Sequence, residues 1–386
     1  DNVLEITGNS RIRSVFLFRV SQLPEPSLGR LVSNFKLMKV LDLEDAPLDY
    51  LPEEVGNLFH LRYLSVRNAK IKMIPRSIGK LQNLQTLDMR QCPVSELPEE
   101  ISRLHKLRHL MAYYSNDDIN YNLDHYRGLK IRKGIGHLQE LQTLLDVDAY
   151  HDGVSLMKEL KNLRQLRRLG IKRLTRESGR GLCTSIEKMK QLRCLAVWAI
   201  SGEEILDLQS ISSPPQYLQE LYLRGRLEKL FDWIPKLENL VTLILYRSGL
   251  SDDWLKTLQD LPNLLTLDLD QGYDGGRLHF KAEGFQKLKK LDLGGLKGLN
   301  LLIIDKGALP LLEELSIGPS PQLNEVPSGI QYLTKLTSLA FWDMTKDFLD
   351  RMKADEGQDY WIVQHIPVVR FWLKDTETGY KSFILW

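Results

Sequence analysis

Apolar residues recur along this chain in one phrase, L-x-x-L-x-L, and the phrase returns at regular intervals. It is clearest between Met38 and Leu110, where Met38, Leu41 and Leu43 are answered by Leu61, Leu64 and Val66, then by Leu84, Leu87 and Met89. Leu107, Leu110 and Ala112 continue the series, each set 23 residues after the last, and Pro52, Pro75 and Pro98 keep the same interval. The end of each phrase alternates apolar and polar, which predicts a short strand with successive side chains on opposite faces. Leu64 and Val66 then point inward while Ser65 and Arg67 face out. After the strand, Leu48, Ile71 or Val94 and then Leu51, Ile74 or Leu97 bring the chain back to the same core just before the proline. Proline fixes φ and lacks an N–H, so it suits the start of a short helical return. Glu53-Glu54 and Glu99-Glu100 follow two of these prolines, where acidic groups favour a helix N-terminus.

A period of roughly 20–29 residues built on this phrase is the leucine-rich-repeat signature. One coil cannot bury its leucines alone; stacked neighbours close a continuous core. The expected fold is α/β, a leucine-rich-repeat solenoid (horseshoe) with a parallel concave β-sheet and short helices or turns on the convex side. Further phrases start at Leu141, Leu166, Leu192, Leu218, Leu240, Leu264, Leu288, Leu312 and Leu336, with a degenerate one at Ile12, giving fourteen strands. At about 4.8 Å per strand the sheet would be roughly 60 Å long. Residues 1–37 read as the entry coil, 38–343 as the repeats and 344–386 as a C-terminal cap containing a strand or two. Between Leu107 and Leu141 the interval stretches to 34 residues, and the excess is a polar, tyrosine-rich insertion at about 113–133. In the coil that follows, Asp146 falls where an inward leucine belongs, which leaves its register open.

Composition narrows the class. A net charge of +2 over 386 residues does not match a dedicated nucleic-acid binder, which carries a marked basic excess. No apolar run reaches the length of a membrane span and no signal peptide opens the chain. The chain begins at Asp1 rather than methionine, as a fragment of a longer polypeptide would. Three scattered cysteines, Cys92, Cys183 and Cys194, cannot build the disulfide caps of secreted repeats, and no N-x-S/T sequon occurs. Both point to a reducing, cytoplasmic setting, with any membrane association made through other regions or partners.

Catalytic motifs are faint. The P-loop pattern G-x-x-x-x-G-K-[ST] is missing. SGRGLCTS at 178–185 and GGLKGLN at 294–300 carry glycines without the Lys-Ser/Thr pair and read as turns between coils. His105 and His109 are four apart but lack the glutamate of a zinc helix, and Leu107-Leu110 places His109 in a strand. Cys92 sits where Ala46 and Ala69 sit in the preceding coils, so it reads as a small buried residue and not as a nucleophile. No enzyme, metal or cofactor is expected within the chain.

What remains is surface. The outward residue that ends each strand reads Glu44, Arg67, Arg90, Tyr113, then Lys172, Trp198, Arg224, Tyr246, Asp270, Gly294, Gly318 and Trp342. Arg62, Arg108, Arg167, Arg168, Arg173, Arg193 and Arg247 add charge beside it, and Asp268, Asp270 and Asp292 turn it acidic later on. Arg, Trp and Tyr are enriched in protein–protein hot spots. The candidate partner-binding residues are Arg67, Arg90, Arg108, Tyr113, Lys172, Trp198, Arg224, Tyr246, Arg247, Asp270 and Trp342. The basic middle fits an acidic patch on a partner.

The segments LDL…LPEEVGNLFHLRYL at 41–64 and IPRSIGKLQNLQTLD at 74–88 resemble the repeat region of plant intracellular NB-LRR disease-resistance proteins of the coiled-coil class. The resemblance covers nearly the whole chain, which would correspond to about the C-terminal third of such a receptor. It implies a domain whose first coils hold an absent nucleotide-binding module, itself bound to ADP or ATP, in its resting state. It further implies that exposed surfaces recognise a pathogen effector or an effector-modified host protein. A free-standing repeat scaffold for signalling proteins is the alternative; the uneven middle and the long insertion count against it.

Overall fold

A computed structural model describes residues 11–17, 27–113, 128–150, 153–251, 254–354, 356–375 and 379–385. The chain forms two compact units, Asp1–Pro215 and Gln216–Trp386.

In the first unit β1 (Ser14–Phe16) and α1 (Ser27–Asn34) lead into β2 (Val40–Asp42), β3 (Tyr63–Ser65), β4 (Thr86–Asp88) and β5 (His109–Met111). After these come β6 (Thr143–Asp148), α2 (Gly153–Leu160), β7 (Arg168–Leu174), α3 (Arg176–Ile186) and β8 (Cys194–Ala199). The eight strands pair in parallel, in sequence order. Core residue meets core residue: Val15 is opposite Leu41, which is opposite Leu64, followed by Leu87 and Leu110. The four leucines are fully buried. The rungs begin two residues before the strands. From Arg62 through Gln85, Arg108, Gln142 and Arg167 to Arg193, each residue donates its N–H to its counterpart one coil earlier, at 2.8 Å throughout.

The expected helical returns are 3-10 turns at Glu53–Asn57, Arg76–Lys80 and Glu99–Arg103, each preceded by its proline in extended conformation. Their free N–H groups are satisfied between coils. The Glu53 carboxylate accepts from Ser77 N at 3.0 Å, and Glu159 accepts from the N–H groups of Gly134 and Gly136. Glu187 does the same for Ser212 and Ser213. Hydrogen bonds from Ser77 and Ser212 hold the Glu53 and Glu187 carboxyls below their ordinary range. Their contribution to stability is present at neutral pH and lost in acid.

One glycine-bearing segment corrects the expectation of a turn. Residues 178–185 lie in α3, capped by the Thr175 hydroxyl. Gly179 and Gly181 sit there because a Cβ would meet the Asp207 carbonyl oxygen at 2.3 Å and Met157 Cβ at 3.0 Å. Neighbouring coils approach too closely for side chains. Gly294-Gly295, by contrast, does form a turn.

The open register at Asp146 resolves as a β-bulge. Leu144 pairs with Leu169 and Val147 with Ile171, so two residues face Gly170 alone. Asp146, at φ 57, leaves the line and Val147 takes the inward place, fully buried. The insertion's last residues stitch onto this bulge: Leu129 N donates to the Asp146 carbonyl and Asp148 N to the Leu129 carbonyl. Its residues 114–127 lie outside the described residues.

The second unit contains β9 (Glu220–Arg224), β10 (Thr242–Tyr246), α4 (Trp254–Leu258), β11 (Thr266–Asp268), β12 (Arg277–Phe280), β13 (Lys290–Leu293) and β14 (Leu301–Ile304). It continues with β15 (Glu314–Ile317), β16 (Ser338–Trp342), α5 (Lys346–Asp350), α6 (Tyr360–Val363), β17 (Val368–Asp375) and β18 (Gly379–Ile384). Strands β9, β10, β11, β13, β15, β16 and β17 form a parallel ladder, while β12 and β14 pair separately on the return legs. All fourteen starts read from the sequence, Ile12 to Leu336, precede a strand by two residues. Within residues 344–386, β17 adds one more parallel strand and β18 closes it antiparallel.

Candidate interaction surface

The outward residue at each strand end is fixed by the turn that follows it. Asp45, Asn68, Gln91, Arg247, Gln271 and Asp343 all take positive φ, between 46° and 60°. This left-handed turn ends the strand, and Asn and Asp tolerate it best. Each of these residues also donates its N–H to the outward residue of the next coil: Asp45 to Arg67 O, Asn68 to Arg90 O, Gln91 to Tyr113 O and Arg247 to Asp270 O. The stripe is therefore held in register by backbone bonds, whatever its side chains are.

In the first unit the side chains engage differently from one another. Arg67 pairs with Glu44 at 3.3 Å and remains substantially exposed. Arg90 forks onto the buried Asp88 through Nε at 2.9 Å and Nη2 at 2.6 Å. That hydrogen bonding raises its pKa further. Arg108, at the strand entry, meets Glu140 at 3.2 Å with both side chains about half exposed. Tyr113 is half-buried. Lys172 is not offered to a partner: it is 4 % exposed, its ammonium lying over the Trp198 ring and 3.4 Å from Asp146. Burial raises the Asp146 carboxyl pKa, partly offset by Lys172. The bulge thus supplies the carboxylate that carries a lysine beneath the indole, a cation–π support for Trp198.

The second unit repeats the device. Arg224 is 7 % exposed with its guanidinium 4.4 Å from the Tyr246 ring centroid, and Arg247 lies 5.5 Å from the same ring. Tyr246, Arg247 and Asp270 are half-buried. Burial raises the Asp270 pKa against the pull of Gln271, Arg247 and Arg224. Trp342 donates through Nε1 to Ser316 Oγ at 2.9 Å and stacks on Trp372 at 4.7 Å, 5° from parallel. Tyr380 meets Trp342 edge-on at 5.4 Å. Trp372 and Tyr380 were missed in the sequence. The signal for Trp372 was there: Ile366, Val369 and Phe371 repeat the apolar phrase, and Trp372 takes its outward place.

Cys92 donates its thiol to the Val66 carbonyl at 2.7 Å, and all three cysteines are buried and unbridged. Burial pushes the Cys92 thiol up to about 11 and that of Cys183 to about 12. Ellman's reagent at mild alkaline pH is expected to label none of the three within minutes in the native chain, and all after guanidinium unfolding. Rapid native labelling of Cys92 would contradict its packing. Among the described residues, no cluster of three or more His, Cys, Asp or Glu is placed to hold a metal ion. Among the same residues, no helix is long and apolar enough to cross a membrane.

A family model described as a leucine-rich repeat region matches residues 11–354. The chain belongs to the leucine-rich-repeat family. It is 40 % identical over 349 residues to disease resistance protein RPM1 of Arabidopsis thaliana, covering 90 % of this chain and 37 % of that one. It is 26 % identical over 245 residues to disease resistance protein RPP8 of the same plant, covering 63 % and 26 %. The chain therefore spans about a third of the length of these relatives. A leucine-rich-repeat protein of Leptospira interrogans shares the fold at TM-score 0.58 and 21 % identity, covering 92 % of this chain and 94 % of that one. An internalin of Listeria monocytogenes does so at TM-score 0.53 and 15 % identity, covering 81 % and 82 %.

Proposed function

We propose that this chain is the sensing and restraining domain of a plant intracellular immune receptor, working in the cytoplasm. The observation that carries this reading is the 40 % identity to a disease resistance protein across 90 % of the chain. In this reading the domain recognises a pathogen effector or a host protein altered by one, and its first coils restrain a nucleotide-binding module elsewhere in the receptor. A ligand that binds one state better than the other shifts such a switch without any chemistry in the repeat itself. The propped aromatics support it: Trp198 and Tyr246 sit on cations that fix their orientation, so little rotamer freedom is lost on binding. Trp198, Tyr246, Arg247, Asp270 and Trp342 are the contact residues, with Lys172 and Arg224 as their supports. Arg67, Arg90, Arg108 and Tyr113 belong to the restraining coils.

The test uses the full-length receptor in leaf tissue. Arg67→Glu with Arg90→Glu is expected to give cell death without any pathogen. Trp198→Ala with Tyr246→Ala and Arg247→Ala is expected to abolish the response to a pathogen that the intact receptor answers, at unchanged protein level. A quiescent charge-reversal variant would remove the brake from these coils. Undiminished recognition by the triple variant would place the contact away from these three residues.

A further inference from the structure

The entry edge of the first unit's sheet differs from its exit edge in one respect: it carries no carboxylate. The two residues that open each coil's strand region, from Arg13-Ser14 to Arg193-Cys194, include no Asp or Glu. Arg62, Arg108, Arg167 and Arg193 are all exposed, and the unbroken backbone rungs place them on one line. At about 4.8 Å per rung, Arg62 to Arg193 spans roughly 24 Å. Arg108 meets Glu140; among the described residues no carboxylate forms an ion pair with Arg62, Arg167 or Arg193. The second unit handles the same positions in the opposite way, pairing Lys289 with Glu313 at 2.7 Å and Lys290 with Glu314 at 3.3 Å. In a row of like charges of which only Arg108 is answered, the members repel one another.

We infer that this arginine row on the first unit is the docking line for an extended acidic segment of a partner protein. An extended chain rises about 3.3 Å per residue, so about seven residues cover the row. Its carboxylates would supply the missing counter-charges and steer the encounter. The line is narrow: on the same strands the buried carboxylates of Asp42 and Asp88 lie only three residues further along than the row positions Lys39 and Gln85, which suits a single acidic polypeptide strand. It does not suit a polynucleotide, whose phosphates need a broad basic field, and the chain's net charge is only +2. His109, in the column beside the row, feels the same field: burial and then Arg108 and Arg167 lower its pKa. This inference rests on the reading proposed above, of a domain that works by binding protein partners, and names the chemistry of one such partner.

The experiment is fluorescence anisotropy on the 386-residue chain with a labelled octapeptide of alternating glutamate and serine. A lysine–serine octapeptide and an oligothymidine serve as comparisons. Saturable binding of the acidic peptide is expected at low salt, weakened about tenfold in Arg62→Glu/Arg167→Glu/Arg193→Glu and also by raised salt. The Lys289→Glu/Lys290→Glu variant should bind as the parent does. If the charge-reversed triple variant loses its circular dichroism signal, the glutamine triple replaces it, with a smaller loss expected. Equal binding by the folded triple variant, or no binding by the parent at low salt, overturns the inference. Tighter capture of the oligothymidine would do so too, in favour of nucleic acid. None of these outcomes touches Trp198, Tyr246 or Arg247, so the sensing role stands or falls on the leaf assay alone.

Discussion

Gly170→Ala is expected to destabilise the first unit by about 3 kcal/mol, a large effect for one methyl group. A Cβ at this position would lie 2.8 Å from the Asp146 backbone N and 2.9 Å from its Oδ1. Neither atom can retreat easily. The backbone of Asp146 is tied to Leu129 through its carbonyl, and its carboxylate faces Lys172. Relieving the clash means undoing the bulge, and a bulge undone by one residue sends Val147 outward and Asp146 into the leucine core. Gly29→Ala is the matched control: it lies in α1 with nothing within 4 Å of its Cβ, and should gain about 0.5–1 kcal/mol from helix propensity. Urea unfolding followed by circular dichroism checks both. A Gly170→Ala midpoint equal to the parent's would mean that the bulge does not hold the register.

The same residues show what the sequence could and could not disclose. Strand phase was legible because burial imposes a period of two within a strand and the stacking imposes an interval between strands. A leucine out of phase would face water, so the starts from Ile12 to Leu336 could be read directly. Asp146 was visible as an anomaly but not as a bulge, since the extra residue is accommodated only by Gly170 on the next strand and by Leu129 returning from the insertion. Lys172 and Arg224 read as exposed cations for a related reason. Their position in the phrase says which face they occupy, yet their burial is decided by Trp198 and Tyr246 in the following coils. In a solenoid the strand face is a local property and exposure is a property of neighbours. The left-handed turns were harder still, because Arg247 and Gln91 adopt them without the Gly or Asn that would announce them.

Asp292→Asn is expected to make the second unit more stable at pH 8 and to leave it unchanged near pH 4. Asp292 on β13 stands opposite Asp268 on β11 and Ser316 on β15. Burial first, and then the charge of Asp268, lift its pKa from 3.8 to about 7, while Ser316 and Lys290 pull only partly the other way. Lys290 is shared with Glu314 at 3.3 Å, which limits the help it gives. A carboxyl whose folded-state pKa exceeds its unfolded one binds its proton more tightly when folded. The resulting stability is complete below the unfolded value and drains away as pH rises through about 7. At about 1.36 kcal/mol per pKa unit the ceiling is about 4 kcal/mol. Partial exposure and screening by salt reduce this to about 2 kcal/mol. Asparagine keeps the shape and a hydrogen bond for Ser316 but cannot ionise, so its advantage should grow between pH 4 and 7 and then level off. This is opposite in sign to Glu53 and Glu187, whose lowered pKa values give stability that is present at neutral pH and lost in acid. Urea midpoints for parent and variant at pH 4, 6 and 8 decide the matter. A gain of equal size at all three would show that packing, not the buried charge, is what the substitution relieves.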